Sequence, residues 1–229
     1  MTAHSLAGAP WLTARTTRRL LQTVAGDGDE ARIVGGAVRD ALLGLPVTGD
    51  LDVATTATPD VVTARAVAAG LKAVPTGIEH GTVTVIVEGR PFEVTTLRRD
   101  VETDGRRAVV AFGRDWAEDA RRRDFTINAL SVGLDGRVHD AVGGLDDIAA
   151  RRVRFIGDAE TRIREDYLRI LRFFRFHARF GSGEPDATGL AASIRCRAGL
   201  ARLSAERLAQ EMRRLVVAPG APAAVVAMS

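Results

Sequence analysis

Short apolar runs alternate with short helical stretches along the first part of the chain. Residues 16–26 have the spacing of a small helix and are followed by the Gly-Asp turn of "GDGDE". "RIVGG" predicts a short strand ending in glycines, "AVRDALLG" a helix stopped by Gly44, and "DLDVAT" a second strand. "TPDVVTARAVAAG" opens with the Thr-Pro start signal of another helix. Two β-rich runs, "TVTVIV" and "PFEVTTL", are separated by Glu-Gly-Arg, a hairpin signal. A charged, glycine-containing stretch from Arg98 to about Arg114 predicts a mobile loop, after which "RRRDFTINALSVGL" returns to helix and strand. From "GGLDDIAARRVRFIGDAETRI" onward, helical periodicity dominates.

The pattern predicts an α/β (α+β) domain with a small mixed sheet over residues 1–145 and an all-α domain over residues 146–229. The boundary is placed at the glycines of "DAVGGLDD". There are no internal repeats and no low-complexity tracts. The tail "APGAPAAVVAMS" is small and apolar, a poor ending for a complete domain.

Composition sets the class. The 229 residues, 46% of them hydrophobic, are enough to bury a real core. No apolar run approaches the roughly 18 residues needed to span a bilayer, so no membrane association is expected. The N-terminus lacks a charged start followed by an apolar core, which argues against a signal peptide. A single cysteine, Cys196, cannot form an internal disulfide and fits a reducing cytoplasm. Net charge is only +3, and Lys72 is the sole lysine, an arginine bias that a GC-rich genome explains for most surface positions. Distribution says more: between Arg151 and Phe180 nine arginines stand against four acids. That excess favours a polyanion such as RNA or a triphosphate.

Candidate chemistry begins at "GGAVRDALLGLPVTGDLDVAT". Asp50 and Asp52, one residue apart on a strand, point to the same face. Glu93 sits in a later strand, and if the two strands are neighbours three carboxylates converge. Hard oxygen ligands of this kind suit Mg²⁺, which completes its shell from water and phosphate. Gly35 and Gly36 would let backbone N–H groups approach a triphosphate, and Arg39 could reach a phosphate oxygen. Singly, an Asp-x-Asp is usually a solvated loop edge and a Gly-Gly a turn. The order strand, glycines, helix, strand with paired acids points to nucleotidyl transfer. A Walker-type ATPase would need a loop ending in Lys-Ser/Thr.

These segments, with "RRRDFTINAL" and "EDYLRILRFFRF", resemble the class II tRNA nucleotidyltransferases, or CCA-adding enzymes, and the related bacterial poly(A) polymerases. Both belong to the DNA polymerase β-like nucleotidyltransferase superfamily. The resemblance runs from about Arg32 to Val217 and implies a nucleotidyltransferase head followed by an all-α neck. It implies metal binding by Asp50 and Asp52, a third catalytic carboxylate at Glu93, and nucleotide contacts at Gly36 and Arg39. The "RRD" motif falls on Arg122, Arg123 and Asp124. Asp124 would read the ribose hydroxyls, and Arg123 would contact phosphate or nucleotide. Residues from "DGRRAVVAF" to "RRRD" resemble the family's flexible loop, which helps the switch from adding C to adding A. "DAVGGLDD" resembles its hinge motif, and "LSAERLAQEMRRLV" the neck helix that supports nucleotide reading.

In "REDYLRILRFFRF", helical spacing places Glu165, Asp166, Arg169 and Arg172 within about a third of the circumference, with Arg175 at the margin. An i, i+4 ion pair from Glu165 to Arg169 explains one pair only. The interleaved apolar residues should half-bury the face, and charges there need partners. A nucleobase can be one. Cytosine and adenine both show an amino donor beside a ring-nitrogen acceptor, whereas uracil and guanine reverse the pattern. Asp166 and Arg169 together would accept C and A and reject U and G. The resemblance places the family's EDxxR motif on Glu165, Asp166 and Arg169, and nucleotide contacts on Arg172 and Arg175.

The expected activity is Mg²⁺-dependent addition of CCA to the tRNA 3′ end from CTP and ATP, with release of pyrophosphate. A poly(A) polymerase and a non-catalytic nucleotide- or RNA-binding module are the alternatives. Family members continue into helical body and tail domains, whereas this sequence stops just after the neck, leaving tRNA grip and length control open.

Overall fold

The computed structural model describes residues 4–77, 81–99 and 111–229. These form two compact units, one of Met1–Arg122 with Asn128–Ala141 and the other of Arg123–Ile127 with Val142–Ser229.

In the first unit, helices α1 (Pro10–Thr13) and α2 (Arg15–Val24) lead into strand β1 (Ala31–Val34). Then come α3 (Gly36–Leu42), β2 (Asp52–Thr55), α4 (Pro59–Ala68), β3 (Lys72–Gly77), β4 (Thr82–Val87) and β5 (Arg90–Thr96). The unit ends with β6 (Arg98–Arg99), β7 (Ala111–Phe112), α5 (Trp116–Arg121), β8 (Ser131–Val132) and β9 (Val138–His139). A seven-stranded mixed sheet has the order β3-β4-β5-β2-β1-β8-β9. β2 and β5 run parallel; the neighbours on either side are antiparallel.

Alternation builds this sheet. In β4 and β5, Val83, Val85, Phe92 and Val94 point into the core and are almost wholly buried. The two strands pair through Val87 and Arg90, leaving a two-residue turn of Glu88 and Gly89 with φ of 51° and 80°. Positive φ at both positions is the type I′ geometry that matches strand twist. Helices α2 and α4 contact the sheet, α2 burying Leu20, Leu21 and Val24, and α4 burying Val62 and Ala66. Strand β3 was not foreseen. It carries Pro75 and stays largely exposed, as an edge strand can, and so lacks the alternation that announces a strand. At the expected mobile loop, Arg98 pairs with Phe112 and Arg99 with Ala111. Residues 100–110, and with them most of that expectation, lie outside the described residues.

The second unit is helical, with α6 (Gly144–Ala149), α7 (Ala159–Glu165), α8 (Leu168–Phe180), α9 (Ala187–Cys196), α10 (Ala205–Val216) and α11 (Ala221–Met228). Side chains of Asp158, Asp186 and Ser204 cap α7, α9 and α10 by accepting otherwise orphaned backbone N–H groups. The core is aromatic: Phe125 lies 4.9 Å from Phe155 and 5.3 Å from Phe176 between ring centres, and Phe155 stacks on Phe173 at 5.5 Å. Helices α10 and α11 pack on α8, and the small-residue tail joins the core through Ala224, beside Ala178 and Ala218. Residues 123–127 precede the expected boundary yet cluster with this unit, because Phe125 completes its aromatic core.

Candidate functional site

The first unit gathers the expected phosphate chemistry at one end of its sheet. Antiparallel pairing sets Val34, the last residue of β1, opposite Asp52, the first of β2. The Gly35–Gly36 turn therefore leaves the sheet beside the acids. Gly35 has φ 72° and ψ −125°, conformations that a side chain opposes, and its N–H donates to the Leu130 carbonyl at 3.1 Å. Asp50 lies two positions before β2 rather than within it, and exposed Asp50 and Asp52 flank the buried Leu51.

Glu93 is exposed on β5, and the parallel register Val53–Val94 puts Asp52 and Glu93 each one residue back on adjoining strands. Among the described residues no three His, Cys, Asp or Glu side chains gather to hold a metal ion, so Glu93 lies near the pair without closing a three-acid cluster. Arg39 is buried. It donates from Nη1 to Asn128 Oδ1 at 2.6 Å and from Nε to Asp40 Oδ1 at 2.8 Å, an arrangement that braces α3.

The second unit holds the remaining candidates. The continuous helix expected across "REDYLRILRFFRF" is broken at Asp166, whose φ of −154° and ψ of 107° are extended. The cause is local. Asp166 Oδ1 accepts the Leu168 N–H at 3.1 Å, the competition with helical bonding that makes aspartate a capping residue. Glu165 thus ends α7, while Arg169 stands in the first turn of α8. Arg169 is ion-paired to Glu165 and also donates to the Arg162 carbonyl at 2.6 Å. Asp166 Oδ2 accepts from Arg207 of α10 at 2.8 Å.

Asp124 is nearly buried. Its Oδ1 accepts the Phe125 N–H at 2.8 Å, and its Oδ2 accepts Arg172 Nε at 2.9 Å. The backbone carbonyl of Arg123 accepts from Arg162 Nη2 at 2.7 Å. Arg175 pairs with the buried Glu211. Burial, with Arg172 and Arg214 nearby, depresses the Arg175 pKa against the opposing pull of Glu211.

The structure therefore brings together Asp124, Glu165, Asp166, Arg169, Arg172 and Arg175 within the helical unit, through four carriers that sequence reasoning did not single out. Arg162, Arg207 and Glu211 hold their partners, and Asp147 anchors the segment bearing Asp124. Arg207 and Glu211 were legible in part, being four residues apart on the helix already expected to support nucleotide reading.

A glycine turn leading from one strand to paired acids at the next, on a small mixed sheet, defines a nucleotidyltransferase head. Residues 31–154 match the Poly A polymerase head domain. The "CCA tRNA nucleotidyltransferase 1, mitochondrial" of Danio rerio is 47% identical over 191 residues, which are 82% of this chain and 44% of that protein. The Bacillus stearothermophilus CCA-adding enzyme, solved in complex with CTP, superposes with a TM-score of 0.82 at 38% identity over 93% of this chain and 51% of its own. A tRNA nucleotidyltransferase complexed with a primer tRNA and an ATP analogue gives 0.68 at 28% identity, over 86% of this chain and 56% of its own. The chain belongs to the tRNA nucleotidyltransferase and poly(A) polymerase family. It spans about half the length of the relatives it matches. No described helix is long and apolar enough to cross a membrane.

Proposed function

We propose that this chain carries the head and neck (about residues 1–145 and 146–229) of a CCA-adding tRNA nucleotidyltransferase. It would use CTP and ATP to extend the tRNA 3′ end, releasing pyrophosphate. The observation that carries the proposal is the break between α7 and α8, where Asp166 and Arg169 stand within one turn of backbone, linked by the Arg169 N–H to the Asp166 carbonyl at 3.0 Å. A carboxylate and a guanidinium so spaced offer the acceptor and donor that cytosine and adenine both complete. The CTP and primer-tRNA complexes of the related enzymes support the same substrates here.

Asp50 and Asp52 are exposed, so their carboxylate oxygens, hard ligands, are open to solvent. That donor set fits Mg²⁺, which takes few protein ligands and fills its shell from phosphate and water. When bound, the metal would supply charge neutralisation for the attacking 3′-oxygen and the departing pyrophosphate. Glu93 would add negative charge beside Asp52. Gly36 would admit phosphate oxygens close to the backbone, and Arg39, through Asp40 and Asn128, would keep that turn in place. Asp124 would accept from the ribose hydroxyls through its carboxylate, which Arg172 and the Phe125 N–H orient. Arg123, Arg172 and Arg175 would provide positive charge toward nucleotide, and Glu165 would aim Arg169 at the base. The lone cysteine supports a cytoplasmic setting.

The test is primer extension of tRNA lacking CCA. CTP alone should add two residues and CTP with ATP three. Addition of adenosine only, to any RNA 3′ end, would reassign the chain to poly(A) synthesis.

A further inference from the structure

Outside the proposed chemistry, the helical unit contains a wholly buried carboxylate. Asp147 of α6 has no exposed surface, yet three side chains donate to it. Thr126 Oγ1 lies 2.5 Å from Oδ2, Arg154 Nε 3.0 Å from Oδ2, and Arg152 Nε 2.6 Å from Oδ1. Two guanidiniums more than offset the charge, while the threonine comes from the segment carrying Asp124. A buried charge is costly unless fully partnered, and once fully partnered it holds its neighbours in one geometry.

Backbone bonds grip the same segment. The Thr126 N–H donates to the Arg154 carbonyl at 3.1 Å, and the Ile156 N–H donates to the Asp124 carbonyl at 3.1 Å. Phe125 bridges Phe155 and is fully buried. Asp124 is thus held by its own carbonyl on one side and, two residues on, by the Thr126 hydroxyl on the other. With the main chain so fixed, the carboxylate of Asp124 has little freedom beyond its side-chain torsions.

We infer that Asp147 is a positioning residue for sugar recognition: through Thr126 it fixes the backbone that aims Asp124 at the ribose hydroxyls. The inference rests on the ribose role proposed for Asp124. Asp147 itself touches no substrate. Loss of the clamp leaves Asp124 present but misdirected, so ribonucleotides lose affinity while 2′-deoxynucleotides, which make less use of Asp124, lose little. A purely structural role would weaken both sugars alike.

Calorimetric titration of the whole chain with ATP and with dATP, both with Mg²⁺, separates the cases. Asp147→Asn and Thr126→Val should each shrink the ATP-over-dATP preference, by about tenfold for the former, the scale of one weakened hydrogen bond to a charged group. Thr126→Ser, which restores the hydroxyl, should keep the wild-type ratio. Asp124→Ala is the reference and should shrink it as well. If Asp124→Ala shrinks the preference while Asp147→Asn and Thr126→Val leave it unchanged, the clamp is overturned and the ribose reading stands. If Asp124→Ala leaves the preference unchanged, the ribose reading fails and the clamp with it. Loss of the fold in both Asp147→Asn and Thr126→Val assigns the cluster to stability alone and also overturns the inference.

Discussion

Arg172 holds Asp124, donating from Nε to Oδ2 at 2.9 Å across forty-eight residues of sequence. Two residues first linked only by their separate motifs are therefore one hydrogen-bonded pair, with the helix that bears Arg169 also bearing the support of the proposed sugar reader. Removing the Asp124 carboxylate should weaken ATP and CTP more than their 2′-deoxy forms. Equal losses for both sugars, measured as kcat/KM, would make Asp124 structural.

The acids at the sheet end give a sharper loss. Asp50→Ala or Asp52→Ala should abolish C and A addition together, while circular dichroism stays that of the folded chain, since both side chains are exposed. Near wild-type turnover in either variant would exclude the metal role.

Base selection is a separate property. Asp166→Ala should raise UTP use relative to CTP, because the acid no longer opposes the uracil carbonyl; a good paired contact discriminates by about 1–3 kcal/mol. Arg169→Ala should depress CTP and ATP use with less change in that ratio. An unchanged C-over-U preference for the Asp166 variant in four-nucleotide competition rules the template out.

Phe125 tests the packing of the helical unit. It is fully buried against Phe155, Phe173 and Phe176, so Phe125→Ala should cost about 3–5 kcal/mol by transfer and cavity effects. Urea denaturation measures it. A loss under about 1 kcal/mol would mean that the site collapses or was never tightly packed.

His177 supplies a pH dependence. Burial holds its pKa below the ordinary 6.5, against smaller opposing effects of a hydrogen bond with the Gly183 backbone and of Glu184. The unfolded chain therefore takes up the proton first. Stability contributed by the neutral imidazole is whole above pH 6.5 and is lost as pH falls toward the folded-state value. His177→Gln should flatten the slope of unfolding free energy against pH below 6.5. An unaltered slope would refute the assignment.

Much of this was written in local sequence. β4 and β5 were visible because apolar residues alternate with polar ones, Thr with Val in β4 and Phe-Glu-Val-Thr in β5, and the acids because their glycine turn precedes them. β3 was not, since an exposed edge strand with a proline needs no alternation. The break at Asp166 was hidden for a different reason. Periodicity records which residues face the core, and that pattern continues across the break, while a single side-chain hydrogen bond to Leu168 decides the backbone. Asp147 escaped notice because its link to the Asp124 segment runs through Thr126, twenty-one residues away, whose approach only the tertiary fold determines.

The chain enters the helical unit for residues 123–127, returns for β8 and β9, and re-enters at Val142. No single cut yields two intact pieces: one made just before Val142 strands the Phe125 ring on the wrong fragment and leaves a hole among Phe155, Phe173 and Phe176. A neck exchanged by recombination at that junction would therefore meet a Phe125 from the other parent. A graft would have to carry the five-residue loop-back as well.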